Sequence, residues 1–118
     1  MNSLVISILP FGLIILLLGF VLKKFPPPMN IAFGYRSPFA KQNSDTWAVA
    51  NSYAANLLMI EGGILTGVGL ISFGLPDIGA IGTIIGSVLL LVFAIILVAF
   101  TERHLHQIFD KNGNRRKI

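Results

Sequence analysis

The chain contains no cysteine, which excludes a disulfide framework, a thiolate nucleophile and a Cys-based metal site. Charge is also scarce. Asp, Glu, Lys and Arg make up 12% of the 118 residues, about half the share of an ordinary soluble domain. Hydrophobic residues make up 54% and the mean hydropathy is +0.80. A soluble domain of this size would leave much of that apolar surface in water, whereas lipid removes the penalty. The sequence holds no Walker loop, nucleophile elbow or HExxH. His104 and His106 lie two apart and diverge on a helix, so no metal, cofactor or catalytic residue is assigned. The nine basic residues against five acidic ones fall in two places only. That distribution points to membrane orientation, and no nucleic-acid partner is expected.

What is abundant is long apolar runs. The first covers residues 4–22 and is interrupted by Ser7, Pro10, Gly12 and Gly19. A span needs roughly 20 such residues. Pro10 is expected to kink it near its outer end. Lys23 and Lys24 close the run, and no cleavage-site pattern follows Leu22, so it reads as a retained helix and not a removed signal. The second helix begins near Ser44 and Asp45, both good N-cap types. It is amphipathic at first and apolar over 54–75, and Pro76-Asp77 ends it. The third run covers 78–100, with Thr101-Glu102-Arg103-His104 marking its exit. An amphipathic extension is expected to about Asp110, where Asn112-Gly113 breaks it ahead of a basic tail. The fold class is therefore an all-α integral membrane protein with three transmembrane helices in one domain. An interfacial segment over 25–53 links the first two spans, and a tail over 101–118 follows the third.

Lys23, Lys24, Arg36 and Lys41 lie in the first connection, and Arg103, Lys111, Arg115, Arg116 and Lys117 lie after the third span. Three spans put both groups on one side, and the positive-inside rule makes that side cytoplasmic. The expected topology is N-terminus out and C-terminus in, multi-pass, in a cell inner membrane. The tail would also touch anionic lipid.

Few polar groups remain inside the runs. Glu61 is the single charge in the second span, about two turns inside the lipid boundary. An intramembrane carboxylate is costly, by about 2.5–3.5 kcal/mol for a charge at mid-helix. It marks either a functional group or a structural carboxyl facing another helix. Trp47, Asn51, Ala54, Leu58 and Glu61 share one helical face. Trp47 suits an aromatic-belt anchor, while Asn51 needs a partner, for which Asn30, Tyr35 and Arg36 are candidates. Arg36 suits a carboxylate or a lipid phosphate, and its pairing with Glu61 is a conjecture. The candidate binding set is thus Asn30, Tyr35, Arg36, Trp47, Asn51 and Glu61. Gly63 with Gly67, and Gly82 with Gly86, form small-xxx-small pairs suited to close helix packing or dimerisation.

The pieces Asn30-Ile31-Ala32-Phe33-Gly34-Tyr35-Arg36-Ser37-Pro38, then Trp47, then Asn51, resemble the signature of the SdpI family. In that family a short G-x-R-[ST] element precedes a Trp, with an Asn one helical turn later. Gly34, Arg36, Ser37, Trp47 and Asn51 fill those places here. The resemblance covers about residues 26–67. It implies a bacterial inner-membrane protein of immunity type, protecting its host against a secreted killing peptide.

Three functions follow as expectations. The first is non-enzymatic immunity by binding a membrane-active peptide toxin or another membrane protein within or at the bilayer. The second is a pocket for a lipid headgroup or peptide end, or a catalytic pocket, built from the six candidate residues at the cytoplasmic interface. The third is a homo-oligomeric transporter or channel subunit with Glu61 on its axis. Membrane lipids are partners in every case.

Overall fold

The computed structural model describes residues 2–30 and 33–117. Three long helices account for most of them: α1 (Ser3–Lys24), α2 (Ser44–Ser72) and α3 (Ala80–Ile108). A single 3-10 turn, Ala40–Gln42, precedes α2. All three helices are long and apolar enough to cross a membrane. Their outer faces carry Leu17, Ile71, Ile84, Leu91 and Ile95, each more than half exposed. Such surfaces are stable against lipid and not against water. The molecule measures 53 × 25 × 24 Å. Helices of 29 residues such as α2 and α3 rise about 43 Å, well beyond a hydrocarbon core of about 30 Å. Their surplus turns gather at the end that carries the basic residues.

α1 and α2 pack through glycines that the sequence reading did not select. A Cβ on Gly12 would lie 2.7 Å from the Thr66 amide nitrogen, and one on Gly19 2.7 Å from that of Met59. Gly62 meets the Leu16 backbone and Gly69 meets Leu9 in the same way. Within the chain, Gly63 and Gly67 do not serve helix packing, because a Cβ on either meets nothing within 4 Å. Gly82 and Gly86 do lie at a helix contact, but their neighbours are Ser3 and Ser7 of α1 and not α2. α1, not a hairpin of α2 and α3, is the common packing partner at this end. α1 continues through Pro10 as one helix.

The α2–α3 connection is tied to the start of α1. Asn2 caps α1 by accepting from the Leu4 amide at 2.9 Å. Its Nδ2 donates to the carbonyls of Ser72 and Leu75. α2 ends at Ser72, before Pro76-Asp77, in bonds that tighten its last turn. Asp77 accepts from the Gly79 amide at 3.0 Å and from both the amide and hydroxyl of Ser3. These bonds, the Gly79 amide first, hold its carboxyl below the usual carboxylate range. A lowered folded-state pKa stabilises the protein above the unfolded value near 3.9 and loses that effect as pH falls through the folded value. The thermal midpoint of the wild type should therefore drop relative to Asp77→Asn as pH falls below about 4, and parallel pH profiles for the two would refute this.

At the opposite end a small core forms from Ala40, Ala50, Leu105 and Phe109, with Tyr35, Phe39, Val49 and Ile108 around it. The α2 cap is Asn43, one residue before the expected Ser44-Asp45. Asn43 Oδ1 accepts from the Asp45 and Thr46 amides, and Thr46 Oγ1 accepts from the Asn43 amide, a reciprocal capping box. The basic tail folds back onto this cap. After α3 the Asp110 amide donates to the Asn114 carbonyl at 2.8 Å. Asn43 Nδ2 reaches the Gly113 carbonyl at 2.9 Å, and Arg115 pairs in bidentate fashion with Asp45.

Candidate functional site

Residues 25–30 and 33–39 belong to a strap between the end of α1 and the start of α2. Pro26-Pro27-Pro28 keep it extended. Asn30 orders the next turn by donating to the carbonyls of Pro28 and Phe33 and accepting from the Phe33 amide. Ile31 and Ala32 of the signature lie outside the described residues. Gly34 then adopts φ +109°, and a Cβ there would sit 2.6 Å from Asn51 Oδ1 and 3.2 Å from the Trp47 ring. Only glycine fits both the dihedral and the space.

That close approach lets Asn51 treat the strap as a β-partner. Its Oδ1 accepts from the Tyr35 amide at 2.6 Å and its Nδ2 donates to the Tyr35 carbonyl at 3.2 Å. The same Nδ2 donates to the Trp47 carbonyl at 3.0 Å. Trp47 is buried, and its indole Nε1 donates to the Pro27 carbonyl at 2.9 Å. It is a staple between strap and helix, not a lipid-facing belt residue. Each of these bonds replaces water that the buried site excludes.

The strap is also held to α3. Glu102 Oε2 accepts from the Tyr35 hydroxyl at 2.7 Å and from Ser37 Oγ at 2.8 Å. Ser37 Oγ in turn accepts from the Ala40 amide at 3.1 Å and so opens the 3-10 turn. Burial, then the bond to Glu102 and its charge, push the Tyr35 phenol above its ordinary range. The hydroxyl thus stays a donor to Glu102 at physiological pH.

Two clefts flank this knot. An apolar one of about 230 Å³ lies under the strap, lined by residues including Leu18, Leu22, Phe33, Tyr35, Leu58 and Leu97. A second, of about 380 Å³, includes Lys23, Pro27, Trp47 and Asn51. The six candidate residues therefore do not converge on one cavity. Tyr35 lines the first cleft, Trp47 and Asn51 line the second, and Asn30, Arg36 and Glu61 line neither. Arg36 is exposed and its Nε donates to the Asn30 carbonyl at 3.0 Å. Glu61 is 6% exposed, and its Oε2 has no hydrogen-bond partner among the described residues. The conjectured Arg36–Glu61 pair is not formed. His104 stacks on Tyr53 at 4.2 Å between ring centroids, and His106 meets Phe39 edge-on.

Sequence reasoning missed Glu102 as the hub on α3, having taken it only as the end of a span. The signal was faint, since Glu102 lies 65 residues from Ser37 along the chain. Gly34 and Ser37 were visible in the signature, but their partners were not.

Comparison with known proteins bears on these same residues. The model of the SdpI/YfhL protein family matches residues 27–101, which is more than half of the chain. This chain belongs to the SdpI/YfhL family. The SdpI/YfhL match takes in the strap from Pro27 onward, Trp47, Asn51 and Glu61, and stops one residue short of Glu102. A relative, the uncharacterized protein YfhL of Bacillus subtilis (strain 168), is 28% identical over 106 residues, covering 89% of this chain and 91% of its own. No solved structure matches the chain.

Proposed function

We propose that this SdpI/YfhL member is a multi-pass protein of the bacterial inner membrane that confers resistance to a membrane-active peptide toxin. It acts by binding within or at the membrane, without chemical turnover. The observation that carries this reading is the apolar cleft beneath the strap. The polar atoms of Tyr35 and Asn51 beside it already bond one another and Glu102, so the cleft recognises by shape and burial. A large apolar side chain of an inserted peptide suits it, and burying one contributes about 1.5–3 kcal/mol.

The test is expression in a sensitive bacterial host challenged with secreted killing peptides. Wild type is expected to protect. Leu58→Trp, which fills the cleft, is expected to abolish protection at unchanged membrane level and helicity. Full protection by Leu58→Trp removes the cleft from the mechanism, and killing of wild-type cells by every peptide tried removes the immunity reading.

The orientation is part of this proposal. The strap, the basic residues and the folded tail face the cytoplasm, in line with the positive-inside rule. The absence of cysteine makes labelling clean. Pro76→Cys in intact cells is expected to react with an impermeant maleimide, and Lys111→Cys only after permeabilisation. The reverse pattern would invert the topology.

A further inference from the structure

A third group of clefts lies at the basic end between α2 and α3, and meets the cleft beside Trp47 at Ala48 and Ser52. The largest, of about 540 Å³, is lined by residues including Asp45, Ser52, Tyr53, Asn56, His104 and Arg115. A neighbour of about 200 Å³ is formed by Tyr53, Phe100, Arg103, His104 and Gln107. The stacked rings of Tyr53 and His104 are their common wall. Among the lining residues Asp45 and Arg115 pair at 2.7 Å and cancel, which leaves Arg103 as the one unbalanced formal charge. Glu102 is not among the lining residues, and its Oε2 is turned to the Tyr35 and Ser37 hydroxyls. Arg103 is exposed and has no ion-pair or hydrogen-bond partner among the described residues.

Polarity changes sharply just below. On α2, exposed Asn56 is followed one turn on by exposed Ile60, then by Gly63 and Gly67. These lie at helical spacing on one stripe. A Cβ at either glycine meets nothing within 4 Å, so the stripe is a shallow trough. On α3 exposed Phe100 adjoins Arg103. The boundary between polar and apolar surface therefore sits at the same level on both helices. Cationic and hydrogen-bonding groups stand above it, with apolar surface below.

We propose that this groove is a binding site for an anionic phospholipid. The phosphate sits beside Arg103, His104, Tyr53 and Asn56, and one acyl chain runs over Ile60 and the Gly63–Gly67 trough. The site is separate from the cleft under the strap and does not depend on the immunity reading. It also gives Gly63 and Gly67 a role that packing within the chain does not.

The test uses the full chain in nanodiscs of phosphatidylcholine with and without phosphatidylglycerol, reading retained lipid by native mass spectrometry after transfer to detergent. Wild type is expected to retain phosphatidylglycerol in preference to phosphatidylcholine. Arg103→Ala should weaken retention about fivefold, as one interfacial cation contributes about 1 kcal/mol. Gly63→Leu, whose added side chain enters open space, should weaken it without lowering the thermal midpoint. Lys23→Ala, outside the groove, should leave it unchanged. Displacement of the lipid by inorganic phosphate alone would show a free-anion site and overturn the proposal. Equal loss in Arg103→Ala and Lys23→Ala would show only general charge attraction and would overturn it too.

Discussion

Gly62→Leu is expected to separate α1 from α2. A Cβ at position 62 already collides with the Leu16 backbone, lying 2.6 Å from its Cα and 2.8 Å from its Cβ. Backbone cannot step aside as a side-chain tip can. Overpacking costs typically 1–3 kcal/mol, occasionally more, and here the loss should be about 3 kcal/mol or more because the whole helix must move. Domains of this size are stable by only about 5–15 kcal/mol, so the variant should unfold far earlier or fail to accumulate. Gly63→Leu is the matched control. It adds the same side chain one residue on, where nothing lies within 4 Å, and should change stability by no more than about 0.5 kcal/mol. Thermal unfolding in one detergent compares the two. Equal midpoints would mean that α1 and α2 do not meet at Gly62.

Gly34→Ala should release the strap. The residue is held at φ +109°, where a side chain is strained by about 1–3 kcal/mol. The added methyl also enters the space of Asn51 Oδ1. That displaces the bonds between Asn51 and Tyr35, each contributing about 0.5–1.5 kcal/mol. A total loss of about 2–6 kcal/mol is expected, local to the strap. Helix content should survive, because α1 and α2 pack through other residues. Trypsin cleavage at Arg36 should therefore accelerate well before global unfolding. Cleavage as slow as in wild type would show that the strap is not held by this contact.

The two variants probe different kinds of information. Gly62 and Gly63 are neighbours in sequence and opposites in space. Periodicity identifies a glycine-bearing helix, but small-xxx-small spacing occurs on several faces at once. Selecting the packed face requires the partner helix, and here the partner is α1 and not α3. Gly82 and Gly86 make the same point, since their neighbours are Ser3 and Ser7 from the start of the chain. For the strap, the signature residues Gly34, Trp47 and Asn51 stand out in the sequence as a set. That Gly34 must lack a side chain because Asn51 lies behind it appears only in three dimensions.

Glu61 and Glu102 show the limit most sharply. Glu61 drew attention because a carboxylate in an apolar run is costly, and it is indeed buried. Yet Arg36 does not come to it. Glu102 drew none, since a charge at the end of a span is ordinary, and it proves to hold the strap to α3.

The sequence by itself determined that there are three spanning helices, with basic residues confined to the first connection and the tail. The reason is that transfer into lipid depends on composition over a window, a local quantity. Only the tertiary structure decided which glycines pack and where the strap is tied. It also showed that the tail folds onto the α2 cap through Arg115 and Asp45. Those outcomes depend on contacts between residues far apart in the chain, 70 positions for Arg115 and Asp45 and more for Gly82 and Ser3, and hydrophobic periodicity carries no record of them.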